Sequence, residues 1–132
     1  MSALEDLVVS GEELDREALA DLLGPLVRLD KDRPGAIIPQ DAWSRMSNDA
    51  RILTYLLSRK AMCAVSLLPE GADRATPIDV ERATGLPGGS VRPGLRRLVD
   101  QRLVCEPVSH QYSVPNLALG RARTFLGRWM GG

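Results

Sequence analysis

Between Asn48 and Leu67 the apolar positions Ile52, Leu53, Leu56, Leu57, Ala64 and Val65 recur every three to four residues. That period predicts one amphipathic helix with Ser47 as its N-cap. Arg51, Arg59 and Lys60 would lie on its solvated face. A polar loop follows over Pro69–Ala75, and the helical pattern then resumes twice. Thr76-Pro77 with Asp79 three residues after the threonine reads as a cap, a proline at the first helical position and an acid in the first turn. Val80 and Ala83 face inward, and Gly85 ends this helix in a left-handed conformation. Leu86–Gly89 makes a short turn, and Ser90 is the N-cap of the next helix, which runs to about residue 102. There Val91, Leu95, Leu98 and Val99 form one buried stripe, with Pro93 in the first turn. Leu103–Glu106 and Tyr112–Val114 read as two short strands around a tip at Val108–Gln111, with Pro107 at an edge or bend. Asn116 opens a last helix, in which Ala118, Ala122, Phe125 and Trp129 are spaced four, three and four residues apart. Leu119, Leu126 and Met130 widen that stripe. It either closes the chain's own core or pairs with the same helix of a second chain.

Upstream, Ser10–Glu13 has the form of a capping box before a helix over about Glu12–Leu23, which Gly24-Pro25 stops. Leu26–Leu29 and Ala36–Ile38 read as a hairpin around Asp30–Gly35. That turn echoes a calcium loop in its acids and glycine, but Pro34 stands where a side-chain oxygen is needed, so a plain turn is expected. Trp43 is an anchor in a core or an interface. A helix and a hairpin are too little to fold alone. Residues 1–46 are therefore expected as an extension packed on residues 47–132 or on a second subunit. The fold class is mainly α with small β.

Charge sharpens the picture. The formal net charge is zero. Yet residues 1–46 carry ten acids against five bases, and residues 47–132 carry seven acids against twelve bases. An acidic front and a basic rear imply that only the rear meets an anionic partner. Fifteen of the seventeen bases are arginine, so position carries more information than number. Arg92, Arg96 and Arg97 fall within six residues on the outer side of the helix after Ser90. An arginine fork grips phosphate or guanine in two-point fashion.

The segment GLPGGSVRPGLRRLVDQRLV followed by YSVP resembles the winged helix-turn-helix domains of prokaryotic DNA-binding regulators. The similarity spans about residues 47–130 and lies in the glycine-containing turn, the Ser-Val-Arg opening, the Leu-Arg-Arg-Leu helix and the Leu-Val start of the wing. It implies a winged helix-turn-helix, to which the residue pattern read above adds an N-terminal helix-plus-hairpin extension and a C-terminal helix. It further implies double-stranded DNA as partner and a role in transcription regulation; the stripe of the last helix, where it pairs with a second chain, gives a homodimer that sets two reading helices on one duplex. The residues expected at the DNA are Ser90, Arg92, Arg96, Arg97, Arg74 and Gly89, and those expected at the dimer interface are Ala118, Ala122, Phe125 and Trp129. The wing tip departs from the pattern, having neither Lys nor Arg. A winged helix that docks a protein partner in a larger complex is the alternative.

No motif points to catalysis. His110, the single histidine, has no metal-ligand spacing around it and is expected in a solvated loop. The chain has no Gly-x-Ser-x-Gly elbow, no phosphate-cradling loop with its lysine and no dinucleotide fingerprint, so no enzyme and no cofactor are expected. Cys63 and Cys105 read as two buried, reduced thiols. No apolar run approaches the ~18 residues of a membrane span, and Met1–Ser10 lacks the form of a secretory signal, so the cytoplasm is expected.

Overall fold

A computed structural model describes residues 4–7 and 14–130 of the chain. Five helices and two small antiparallel hairpins follow in the order α1 (Arg16–Leu23), β1 (Val27–Leu29), β2 (Ile37–Pro39), α2 (Asn48–Ala64), α3 (Pro77–Thr84), α4 (Gly88–Asp100), β3 (Cys105–Val108), β4 (Gln111–Ser113) and α5 (Leu119–Met130). The fold is mainly α with small β. The expected capping box at Ser10–Glu13 lies outside the described residues. Within them, the first α-helix begins at Arg16, and the Asp15 carboxylate accepts from the Ala18 N–H at 3.0 Å.

Helix α2 is the centre of the molecule. Seven consecutive residues, Ile52 to Ser58, are all buried. A helix shielded on every side must be surrounded by other elements, and α1, α3, α4 and α5 all pack on it. Ser47 caps it as expected, accepting from Ala50 N–H at 3.2 Å. Leu19, Leu22, Leu23, Leu26 and Val27 from the front of the chain join Leu53, Leu56, Leu95, Leu98 and Leu126 in one hydrophobic core. The acidic extension is thus packed within the same chain, through α1 against α2 and α5. In the Asp30–Gly35 turn the Asp30 side chain accepts from Asp32 N–H at 2.9 Å, which makes a local side-chain turn.

Three expectations about α2 need correction. The helix ends at Ala64, not Leu67, because Ser66 adopts a left-handed conformation and the amides of Ser66 and Leu67 turn back to the carbonyls of Cys63 and Met62. Val65 therefore points away from the core and is 52% exposed. The basic residues are not a solvated face. Arg51 donates to the carbonyls of Trp43 and Ser44, and Arg59 to the Ala72 carbonyl and the Tyr55 hydroxyl. Lys60 is buried and hydrogen-bonded to Asn116. Burial holds the Lys60 amine below its ordinary pKa.

Helix α3 follows its sequence signals closely. Thr76 and Asp79 form a reciprocal capping box, and Gly85 ends the helix at φ 75°. Helix α4 does not. Gly88 and Gly89 belong to its first turn, the cap position is Pro87, and Ser90 lies inside the helix. Pro93 consequently sits a turn deeper than expected. Having no N–H, it cannot donate to the Gly89 carbonyl one turn back. The stripe Val91, Leu95 and Leu98 is buried as expected. Gly94 completes it: a Cβ there would stand 2.6 Å from Ile52 Cδ1 and 2.9 Å from Asp49 Oδ1. Glycine is what lets α4 lie this close to α2.

The hairpin after α4 is shifted toward its tip relative to expectation. Leu103 and Val104 are a buried lead-in, the strands are Cys105–Val108 and Gln111–Ser113, and the turn is Ser109-His110, with His110 left-handed at φ 64°. The loop before α3 contributes a third partner, since Ala75 and Tyr112 exchange two backbone hydrogen bonds of 2.8 Å each. At the C-terminal end, Asn116–Ala118 is a 3-10 turn and the α-helix proper starts at Leu119. Ala118 and Ala122, expected at a dimer interface, are fully buried inside the chain and not available to a second one. Phe125 and Trp129 are half-buried against the same core, with the Trp129 indole donating to the Arg45 carbonyl at 3.1 Å.

Replacing Gly94 with Ala is expected to destabilise the protein by about 1–3 kcal/mol, since the added methyl must displace Ile52 or Asp49. Urea unfolding followed by circular dichroism measures this. A midpoint equal to or above the parent's would mean that the α2–α4 approach is not tight.

Candidate nucleic-acid interface

The outer side of α4 follows directly from the burial of its inner side. With Val91, Gly94, Leu95 and Leu98 facing α2 and α3, the residues between them must point outward. Arg92, Arg96 and Arg97 are all exposed. Together with Pro93 and Asp100 they line one shallow depression of about 360 Å³. Arg92 and Arg96 have no hydrogen-bond or ion-pair partner among the described residues, so their charges are uncompensated by contact. Both act through their charge on the ionisation of the Tyr112 phenol in β4.

Arg97 differs. Its Nε donates to Asp49 Oδ2 at 2.7 Å and its Nη2 to Asp49 Oδ1 at 2.8 Å. This two-point ion pair joins the first turn of α2 to the outer side of α4, and it raises the guanidinium pKa above its ordinary value. The pair spans 48 positions and had no local sequence signal.

The other expected residues are spread around α4. Gly89 lies in the first turn, with open space where a Cβ would stand. The Gly88 and Gly89 amides fall among those that helix geometry leaves without intrahelical partners. The Glu81 carboxylate, however, approaches to 3.1 Å from a Cβ position on Gly88, so an acid already stands near this helix start. Ser90 is half-buried and its N–H is committed to the Pro87 carbonyl. Arg74 is exposed and adjoins Ala75, the residue bridged to Tyr112, so it lies at the edge of the hairpin sheet.

The hairpin carries an acid close to its turn. Glu106 accepts from the His110 N–H at 2.7 Å. The Tyr112 phenol is pushed up by burial first and then by the charge and hydrogen bond of Glu106, while Arg96 and Arg92 pull it down. His110 is exposed at the turn. No group of three or more metal-ligating side chains is present among the described residues. Cys63 and Cys105 are half-buried free thiols, and burial pushes the Cys63 thiol up.

Several arginines that composition would count toward a basic face are spent on backbone instead. Arg121 of α5 donates twice to the Arg102 carbonyl, at 3.1 and 2.9 Å. Arg102 is itself left-handed, at φ 61°, and closes the C-terminus of α4: the amides of Arg102 and Leu103 return to the carbonyls of Val99 and Leu98. Arg128 lies over the Trp129 ring at 5.2 Å. Comparison of the chain with protein-family models, with curated proteins and with solved structures finds no match.

Two classes of arginine should separate on substitution. Arg92→Ala and Arg96→Ala are each expected to change stability by no more than about 0.5 kcal/mol. Arg121→Ala, which leaves the strained turn at Arg102 without its clamp, is expected to cost about 1 kcal/mol. Chemical denaturation of the three variants decides the matter. Equal losses at all three positions would contradict the division.

Proposed function

We propose that the protein binds double-stranded DNA through α4 and belongs to the winged helix-turn-helix regulators of prokaryotic type. The observation that carries this reading is the pair Arg92 and Arg96. These are two exposed, partner-free guanidiniums on the outer side of a helix whose inner side is anchored in the core. The succession of α2, α3, a three-residue turn, α4 and a hairpin supports it, as does the added bridge of Ala75 to Tyr112 beside that hairpin. In this reading α4 enters the major groove, Arg92 and Arg96 neutralise phosphates near its N-terminal half, and Arg74 contacts the backbone from the edge of the hairpin sheet. The hairpin, carrying Glu106 and no lysine or arginine, contributes little to affinity. A homodimer on a two-fold site would have to associate through side chains other than Ala118 and Ala122.

A second reading, in which the same fold docks a protein, is favoured by one specific feature. Between α1, β1 and the end of α2 lies an apolar groove of about 490 Å³, with Leu19, Leu23, Val27, Ala64 and Val65 among its lining. The two readings differ in their response to salt. Each neutralised phosphate contributes about 0.9 to the slope of log affinity against log salt, whereas an apolar contact persists as ions are added.

Replacing Arg92 and Arg96 together with Ala is expected to abolish retention of fluorescent duplex DNA at low salt while leaving the unfolding midpoint unchanged. In the parent, binding is expected to weaken steeply between 50 and 200 mM salt, as a protein neutralising several phosphates does. A folded double variant that binds duplex as the parent does would rule out this surface. A parent that retains no duplex at low salt would remove the DNA reading altogether.

A further inference from the structure

Resting on the duplex-binding reading above, we infer that Arg97 is a specificity-determining residue for guanine, and that Asp49 is the positioning residue that aims it. The inference comes from which edge of the Arg97 fork is occupied. A guanidinium has five N–H groups. Asp49 takes the side edge, through Nε and Nη2. The end edge, formed by Nη1 and the second hydrogen of Nη2, has no partner among the described residues. The Arg97 side chain is 55% exposed, against 16% for Asp49. The carboxylate is therefore the fixed member of the pair, and Arg97 lines the depression shared with Arg92 and Arg96.

Three features hold the pair in place. Asp49 lies in the first turn of α2, where the partial positive charge of the helix start favours an acid. Its Oδ1 lies 2.9 Å from where a Cβ on Gly94 would stand, so the adjoining α4 backbone restricts its movement. Its two hydrogen bonds fix the plane of the guanidinium as well as its position. An arginine held in this way forfeits less rotamer freedom when it meets a ligand than a free one does.

The charge of the pair sets the kind of ligand. Arg97 already carries its counter-ion, so releasing salt from a phosphate gains it little. Arg92 and Arg96 have no such counter-ion and carry the salt-dependent part of binding. What Arg97 retains is geometry: two parallel N–H groups, fixed in plane, on a side chain that is 55% exposed. Their complement is a pair of neighbouring acceptors on a rigid edge. In the major groove guanine alone presents that pair, as O6 and N7. The outer surface of α4 is thus divided, with two arginines for the backbone and one for a base.

The test is selection from a random-sequence duplex library by the parent, Asp49→Asn and Arg97→Lys, with unfolding midpoints recorded for all three. The parent is expected to enrich a motif containing a guanine that it prefers about 5- to 150-fold over other bases. Both variants are expected to lose the preference at that same position and to keep the rest of the motif. Arg97→Lys keeps the charge and should keep the parent's salt slope. Asp49→Asn frees the charge and should steepen the slope by up to about 0.9. Retention of the guanine preference by folded Arg97→Lys overturns the inference, as does its retention by Asp49→Asn or loss at two different positions. A parent that binds duplex without preferring any guanine also overturns it. A parent that binds no duplex overturns the proposed function instead. Lysine at an exposed position disturbs no core packing, so that variant decides the matter even if Asp49→Asn unfolds.

Discussion

The close approach of α4 to α2 at Gly94 is the constraint on which the rest of the structure depends. A helix with seven consecutive buried residues must be covered on all sides. The cover over Ile52 is α4, brought within reach because residue 94 has no side chain. Once Val91, Leu95 and Leu98 are sunk against α2, the rotation of α4 about its axis is fixed, and so is the direction in which Arg92 and Arg96 point. The same approach brings Asp49 within 2.7 Å of Arg97. Core packing and the surface proposed to meet DNA are thus two consequences of one contact.

Arginine in this chain has two occupations, and composition does not distinguish them. Arg16, Arg28, Arg51, Arg59 and Arg121 each donate to a backbone carbonyl: those of Ala64, Val27, Trp43, Ala72 and Arg102 respectively. The carbonyls of Ala64 and Arg102 lie where a helix ends, a place where acceptors are left over and a cation is favoured. These side chains hold loops and helix ends in a protein with few aromatic residues. They are not a nucleic-acid footprint, although Arg51, Arg59 and Arg121 contribute to the basic charge of residues 47–132. What separates Arg92 and Arg96 from them is the absence of such a bond among the described residues.

Much of the fold was legible in the sequence wherever a local signal fixed the backbone. Thr76, Pro77, Asp79 and Gly85 specified α3 nearly to the residue, because a cap, a proline and a glycine each act on their own turn. The buried stripe of α4 was legible from its period, and both hairpins were found to within two or three residues. The errors share a cause. Gly88 and Gly89 are poor helix formers and predict a turn, yet tertiary packing of α4 draws them into its first turn. Ser66 and Arg102 end their helices in the left-handed region without being glycine, so no residue type announced them. Lys60 falls on the polar side of the α2 pattern, and only the course of the chain at Asn116 reveals its partner. For the candidate site, Arg92 and Arg96 were legible as exposed arginines on one helix. The capture of Arg97 by Asp49, and the exchange of hydrogen bonds between Ala75 and Tyr112, are long-range events that no local pattern encodes.

The account stands or falls on which surface a duplex covers. Amide hydrogen exchange of the full chain, with and without a saturating mixed-sequence duplex at low salt, reads this directly. The account expects slowed exchange in the first turns of α4 and around Arg74, with the α1–β1 groove around Leu23 and Val27 unchanged. Protection confined to that groove, with α4 exchanging as in the free protein, would contradict it.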